Sequence, residues 1–410
     1  MKAQRIARED YRAVEELNAI SFGFPFDGEA FDREAEAMFA RMDTRPESVH
    51  DKYWRHGWVC KDDQGRVVSS LGAYPYEVYF DGHVVGMAGI GGVCTLPEAR
   101  RQGCVRTLFG AALAEMFARG QVFSGLYPFS VGYYRQFGYE VCSWIKRCCI
   151  PMAAIRAKPY PGSFSAYRKG ELGGFEEVYA QYAPAYNLAA RRRPEDWHGI
   201  RKLDPAKDQV YGYLYRNAQG QPRGYVFFKK EMEGDKRVMV CSASFRPMAF
   251  CAADRESFDA MLSFAKGFAA YYDEVVVEVP GDQMPEFLLD ERVSQTHAPY
   301  AMARVVNVEQ ALRLAAYRGA GSARIGVTDP QLPQNTGVWA VAFDQGRAVR
   351  VEKVQEQADI QLPIGLFSAM ILGDFPLSQI AWRTDAQLYG NREALGQVFY
   401  PKSCWMSENY

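Results

Sequence analysis

The sequence predicts an α/β (α+β) protein of two or three domains, the first two built on a common strand–helix–strand order. Three observations lead there. The chain has 410 residues, more than one hydrophobic core usually supports. Its apolar pattern alternates between strand-like runs and helical spacing. The order of those elements over 1–150 recurs loosely over 151–297, and a third strand-rich segment covers 298–410.

Within 1–150, residues 11–20 read as a helix, followed by the aromatic, turn-rich stretch S-F-G-F-P-F-D-G. Strand-like runs follow at 58–61, 66–76, 76–80 and 83–93, and Asp81-Gly82 between the last two is a hairpin signal. After Gly103 the period changes. Val105, Leu108, Phe109, Ala112, Leu113, Met116 and Phe117 recur at helical spacing. Residues 121–127 revert to a strand, and 139–144 read as another.

Over 151–297, residues 224–229 and 238–244 read as adjacent strands. Phe258, Met261, Leu262, Ala265, Phe268 and Ala269 mark a helix, and 275–279 a buried strand. Where the first segment has P-E-A-R-R-Q-G between strand and helix, the second has R-P-M-A-F-C-A-A-D-R-E-S. The third segment opens with a helix at 308–317. Strands follow at 323–328, 337–344 and 347–354, with D-Q-G-R as a hairpin turn, and 366–372 reads as a helix.

Bulk properties exclude several classes. A formal net charge of −1 gives no field to attract nucleic acid or an anionic membrane. No stretch approaches the roughly 18–20 apolar residues needed to span a bilayer, and the start, M-K-A-Q-R-I-A-R-E-D, lacks the apolar core of a signal peptide. Nine scattered cysteines form no C-x-x-C pair and have no histidine at ligand spacing. That usage predicts reduced thiols in a cytoplasmic protein, with neither disulfides nor a metal site.

The stretch G-G-V-C-T-L-P-E-A-R-R-Q-G-C-V-R-T-L-F (91–109) carries the chemistry. A helix N-terminus exposes unpaired N–H groups and partial positive charge. A glycine there lets backbone approach an anion, and flanking arginines add charge and donors. Arg100, Arg101 and Gly103 stand directly before the amphipathic helix, so its start can hold a pyrophosphate. The alternative is a solvated arginine pair in a plain turn. The stretch is neither a Walker loop, since no Gly-Lys-Ser/Thr follows, nor a G-x-G-x-x-G fingerprint.

V-C-T-L-P-E-A-R-R-Q-G-C-V resembles motif A of the GNAT acetyltransferase superfamily, V-x-V-x-P-x-x-R-x-x-G-x-G/A, which binds the pyrophosphate of acetyl-CoA. Val105 departs from the final Gly/Ala. R-R-x-G followed by two apolar residues and Arg106 resembles the version in the Eis ("enhanced intracellular survival") family. That family fuses two GNAT domains, mixed-sheet and with the second degenerate, to a C-terminal α+β domain resembling sterol carrier proteins. The segment order fits over essentially the whole chain. The resemblance implies a catalytic domain at 1–150, a degenerate copy at 151–297, and a sterol-carrier-like domain at 298–410 that ends in the active site. It implies that backbone groups of Val93 and Thr95 hold the pantetheine arm of acetyl-CoA as an added strand would. Arg100, Arg101 and Gly103, with the backbone of Val105 and Arg106, would surround the pyrophosphate.

Y-Y-R-Q-F-G-Y-E (133–140) resembles the GNAT segment F-Y-x-x-x-G-F/Y, whose tyrosine lies near the thioester sulfur. Tyr134 is the matching residue, with Gly138 and Tyr139 completing the match. A phenol with pKa near 10 is protonated at neutral pH and can protonate a leaving thiolate. Tyr133, Phe137 and Tyr139 read instead as core aromatics. For the base, the five histidines are scattered and none belongs to either motif. In the Eis family the α-carboxylate of the last residue serves, which implies Tyr410 here; the alternative is a frayed tail. A carboxylate with pKa near 3.5 needs desolvation or a relaying water to act so.

Phe22, Phe24 and Phe26 alternate in a loop and can line an acceptor pocket or plug a core. Glu408 can pair with a cationic substrate or be a solvated acid. Arg191, Arg192 and Arg193 read as a solvated or interface face. Cys104 lies inside the motif, but acetyl transfer in this family is direct, so covalent catalysis is not expected. The resemblance therefore implies an acetyl-CoA-dependent N-acetyltransferase with no metal, acting on a primary amine such as an aminoglycoside, a polyamine or a lysine side chain. It also implies a homo-oligomer, trimer or hexamer; the near-zero net charge and the lack of a long apolar run predict no nucleic-acid or membrane partner. The alternative is a lipid- or small-ligand-binding protein that uses the third domain and keeps an inactive transferase scaffold.

Overall fold

The computed structural model describes residues 2–44, 56–241, 249–283, 285, 289 and 291–408, without the side chains of 41–44. The chain divides into two compact units. Among the described residues, one gathers those up to Cys142 together with Ala301–Lys402; the other gathers Ser143–Tyr300 and 403–408.

In the first unit, strands β1 (Ala3–Arg5), β2 (Gly57–Lys61), β3 (Val67–Phe80), β4 (His83–Thr95) and β5 (Phe123–Leu126) lie side by side in chain order. The first four run antiparallel. β5 joins β4 in parallel, and residues 302–305 pair antiparallel with β5. Around this sheet lie helices α1 (Tyr11–Phe22), α2 (Gly28–Thr44), α3 (Cys104–Ala118) and α4 (Val131–Arg135).

Local chemistry explains the elements. α1 buries Tyr11, Val14, Leu17 and Asn18, one face at helical spacing. Val14 and Leu17 pack with Val59, Val67 and Cys94, and the helix stops at Gly23, whose φ is +74°. α3 buries Cys104, Leu108, Phe109, Ala112, Leu113 and Met116, most of the face its periodicity predicts. Asp81 and Gly82, with φ of +46° and +84°, turn β3 into β4 as the hairpin signal requires.

The runs expected at 66–76 and 76–80 are one strand of 14 residues. Pro75 does not break it because β2 pairs with β3 only as far as Gly72. Beyond that point β3 has β4 alone as a neighbour, and a missing N–H on the open side costs no ladder bond.

The same unit holds a second sheet of five strands in the order Arg347–Val354, Gly337–Asp344, Gly321–Thr328, Ile360–Pro363, Gln387–Leu388. Helix Ile364–Leu372 is buried at every position except Gly365, and helices Val308–Leu314 and Arg392–Val398 accompany it.

The second unit repeats a parallel crossover. Strand Lys236–Cys241 pairs in parallel with Glu274–Pro280, and helix Arg255–Lys266 lies between them in the chain. The sheet continues through Pro222–Glu233, Val210–Arg216 and Ser163–Ala166. The two crossovers differ at the helix start. Asp254 caps the second helix, accepting from Ser257 N at 2.8 Å, so a carboxylate already occupies that N-terminus. Gly103 starts α3 with no side-chain cap.

Candidate active site

The site begins with a defect in the sheet. Ser70 of β3 pairs with Cys94 and Gly72 with Gly91, so β4 places an extra residue at 92–93. Gly92 takes φ of +58°, which glycine adopts without strain. The parallel ladder to β5 ends at Ile90–Leu126. Among the described residues, no strand pairs with 91–95 on that side, so β4 keeps an open edge there. Serines hold the open end from the other flank. Ser69 Oγ donates to Cys94 O at 2.8 Å and Ser70 Oγ to Gly92 O at 3.2 Å.

After Thr95 the chain makes a tight turn at Pro97–Ala99 and passes through Arg101 at φ +63° and Gly103 at φ +81° into α3. A non-glycine residue held left-handed costs roughly 1–2 kcal/mol, and such strain gathers where a binding loop is shaped. The first intrahelical bond of the turn is Thr107 N to Gly103 O, 3.1 Å. The amides of Cys104, Val105 and Arg106 precede it and have no acceptor within the helix. Arg100, Arg101 and Arg106 are exposed, and among the described residues none forms an ion pair. Three free guanidinium groups and an open helix start suit a polyanion.

These groups share one cleft of about 740 Å³, lined by Val93, Thr95, Arg100, Arg101, Gly103, Val105 and Arg106, with Phe22, Phe129, Tyr133, Gln136 and Phe137 along its walls. The structure thus brings together all seven residues expected around acetyl-CoA. Phe129, Tyr133 and Gln136 lay outside the predicted set. Their signal was the aromatic cluster around Tyr134, but its periodicity cannot tell wall from core. Cys104 is 3% exposed, at the helix start.

α4 presents Tyr134. Ser130 caps this short helix through Tyr133 N at 3.3 Å, and Gly138, at φ +81°, reverses the chain after it. Tyr134 is buried, with its ring edge-on to Phe129 and Tyr133 at 5.3 Å each. Two aromatic residues of the cleft wall thus pack against it, while Tyr134 itself is not among the residues that line the cleft. Burial pushes its phenol well above the ordinary value of 10, with smaller contributions from Tyr133 and Tyr139. The group is a neutral acid at any physiological pH. Tyr139 is a core residue as expected, sharing a hydrogen bond of 2.7 Å with Ser124. Phe137 is buried and stacks on Phe109 at 4.2 Å, while one side of it reaches the cleft. Tyr133, expected in the core, is instead part-exposed on the cleft wall, because the β4 edge beside it is open.

The three loop phenylalanines separate. Phe22 ends α1 and lines the cleft. Phe24 is 45% exposed, and Phe26 packs on Phe31 at 5.8 Å, outside the cleft lining. Glu408 is not a solvated acid. In the second unit it is buried and ion-paired with Arg192. Arg192 in turn corrects the expectation of a solvated arginine run. Its side chain is 4% exposed and lies over the Tyr179 and Trp197 rings at 4.7 and 4.8 Å. With its charge spent on Arg192, Glu408 has no free carboxylate to offer a cationic ligand. Tyr410 lies outside the described residues.

Residues 3–142 match the family described as an acetyltransferase (GNAT) domain. Residues 188–305 match a second acetyltransferase (GNAT) domain, and 308–407 a sterol carrier protein domain. Eis1 from Mycobacterium abscessus has the same fold, with a TM-score of 0.79 at 17% identity over 100% of both chains. Acetyltransferase (GNAT) domain models between them match more than half of the chain, so the chain belongs to the GNAT acetyltransferases. A GCN5-related N-acetyltransferase from Anabaena variabilis superposes with a TM-score of 0.82 at 21% identity, covering 98% of each chain. In sequence, the chain is 25% identical over 345 residues to an uncharacterized N-acetyltransferase of Streptomyces avermitilis, 78% of this chain and 79% of the relative. An uncharacterized N-acetyltransferase of Streptomyces coelicolor is 22% identical over 343 residues, 79% of this chain and 80% of the relative.

With two GNAT domains the protein is accordingly an N-acetyltransferase, and GNAT acetyltransferases in general draw their acetyl group from acetyl-CoA. Among the described residues, no group of three or more His, Cys, Asp or Glu side chains is placed to hold a metal ion. Nor is any helix among them long and apolar enough to cross a membrane. All nine cysteines are free thiols.

Proposed function

We propose that this enzyme moves an acetyl group from acetyl-CoA directly to a primary amine, of the aminoglycoside, polyamine or lysine-side-chain class, in the cleft between β4 and α4. The observation that carries the proposal is the open edge of β4 running into an uncapped helix start, beside three guanidinium groups with no ion-pair partner among the described residues. These features fit the two ends of the cosubstrate. An amide-bearing arm can pair with the backbone at Val93 and Thr95. A pyrophosphate is matched by the α3 amides at Val105 and Arg106, by Gly103, and by the side chains of Arg100 and Arg101. Gly103 suits close approach, since a Cβ built on it meets nothing within 4 Å.

Acetyl-CoA supplies an activated acyl thioester. The protein's part is to hold it, exclude water and manage two protons. Tyr134, neutral at physiological pH, gives its phenolic proton to the departing thiolate, and solvent returns a proton to the phenolate after products leave. The proton lost by the amine goes to the α-carboxylate of Tyr410, a role carried over from the family. Phe22 is the loop phenylalanine suited to meet the acceptor, because it alone of the three lines the cleft. We assign 1–150 as the transferase domain, 151–297 as the degenerate copy and 298–410 as the sterol-carrier-like domain, in a cytoplasmic homo-oligomer.

The test is a screen of amines with acetyl-CoA, following thiol release, with Tyr134→Phe alongside. An acceptor whose turnover falls by about 10²–10⁴ in kcat, at nearly unchanged KM, supports the acid role of Tyr134. Equal turnover by both forms would assign the proton to another donor.

A further inference from the structure

We propose that Arg304 and Asp329 form a positioning pair for the acetyl-transfer loop: a buried ion pair anchored in the sterol-carrier-like region grips the Phe137 carbonyl and so holds the segment that presents Tyr134. The proposal rests on the reading of Tyr134 as the proton donor. Both side chains are 0% exposed. A pair taken wholly out of water contributes little net stability, because desolvation offsets the attraction. Its partners indicate what it does instead.

The two arms of the Arg304 guanidinium are divided. Nη2 donates to Asp329 Oδ2, and Nη1 donates to Phe137 O at 2.6 Å. Asp329 is itself immobilised. Its Oδ1 accepts from Gln331 N at 3.1 Å and Leu332 N at 3.2 Å, and its Oδ2 accepts from Asn335 Nδ2 at 2.9 Å. The planar fork therefore has one orientation, and the Phe137 carbonyl is fixed to it. From there the hold passes up the loop by short bonds. Tyr134 O accepts from Phe137 N at 3.0 Å and from Tyr139 N at 3.4 Å. The Phe137 ring stacks on Phe109 of α3, the helix whose start lines the cleft. One carbonyl thus links the loop of the proposed acid to the proposed pyrophosphate helix.

The glycine beside this carbonyl fits the same account. A Cβ on Gly138 would stand 2.9 Å from Arg304 Nη1 and 2.7 Å from Ile364 Cγ2. The loop comes so close to the guanidinium that it has room only for hydrogen. A second ionic link flanks it on the next strand. Glu140 binds Arg135 at 2.7 Å and Arg383 at 3.1 Å, and Arg383 also binds Asp385 at 2.8 Å. The sterol-carrier-like region is therefore part of the transfer machinery, as the buttress of the loop.

The test uses Asp329→Asn and Arg304→Lys in the full chain, each alone and combined with Tyr134→Phe. Displacing a catalytic group by about 1 Å costs up to roughly 10²-fold, so kcat is expected to fall at least about tenfold while KM for acetyl-CoA changes less than about threefold. In the Tyr134→Phe background the same substitutions should cost little more, because they act through the missing hydroxyl. Amide exchange at Phe137, Gly138 and Tyr139 should quicken in the variants and stay unchanged in the β3–β4 hairpin. Losses that simply multiply in the double variants, or unaltered exchange at 137–139, overturn the proposal. If Asp329→Asn does not fold, Arg304→Lys, which keeps both charges, carries the same comparison. If Tyr134→Phe leaves turnover intact, the acid assignment falls, and the exchange measurement still decides the tether.

Discussion

Gly103 and Gly138 both have φ of +81°, which makes them a matched pair for separating backbone strain from packing. Alanine at either position incurs the left-handed penalty, roughly 1–2 kcal/mol. At Gly103 nothing lies within 4 Å of the added methyl, so that penalty is the whole expected loss of stability. At Gly138 the methyl meets Ile364 Cγ2 at 2.7 Å and Arg304 Nη1 at 2.9 Å, and both belong to buried side chains. Overpacking of that kind adds about 1–3 kcal/mol. Gly138→Ala should therefore be less stable than Gly103→Ala by about 1–3 kcal/mol, the backbone cost cancelling in the difference. Urea denaturation followed by intrinsic fluorescence measures it. The functional order should reverse for ligand binding. Gly103→Ala places its methyl in the cleft and should weaken coenzyme A binding, measured by calorimetry, more than Gly138→Ala does. Stabilities equal to within about 0.5 kcal/mol would refute the packing argument around Gly138.

Replacing Arg100 or Arg101 by Ala removes a charged donor worth about 1.5–3 kcal/mol to an anion. Coenzyme A should bind roughly tenfold to a hundredfold more weakly, and titration of both variants with unchanged affinity would move the diphosphate elsewhere. A few residues appended after Tyr410 should abolish turnover and leave acetyl-CoA binding intact, as read by thiol release and calorimetry; full activity would remove the α-carboxylate from the mechanism. Asp385 is held below its ordinary value of 3.8, chiefly by the hydrogen bond from Arg383. A folded pKa below the unfolded one means its contribution is complete above 3.8 and is lost as pH falls through the folded value. Urea midpoints of the wild type and Asp385→Asn should therefore differ fully at every pH above 3.8 and draw together only as pH falls below that value; a gap unchanged well below pH 3.8 would contradict this.

The sequence by itself determined whatever depends on neighbours along the chain. The buried face of α3, the Asp81-Gly82 hairpin, the glycine at the helix start and the arginines before it are set by spacing and by backbone preference within a few residues. Those local terms also carried the family likeness, because a phosphate-binding turn is itself a local structure. Tertiary structure decided the rest. Pro75 sits inside a long strand because β2 ends at Gly72, a matter of another strand's length. Glu408 is neutralised by Arg192, a residue 216 positions away. Arg304 meets the Phe137 carbonyl across 167 positions. Phe129, Tyr133 and Gln136 become cleft wall only once the β4 edge stands open beside α4. A charge reads as solvated in sequence unless its partner is known, and burial joins partners by folding, which periodicity does not encode.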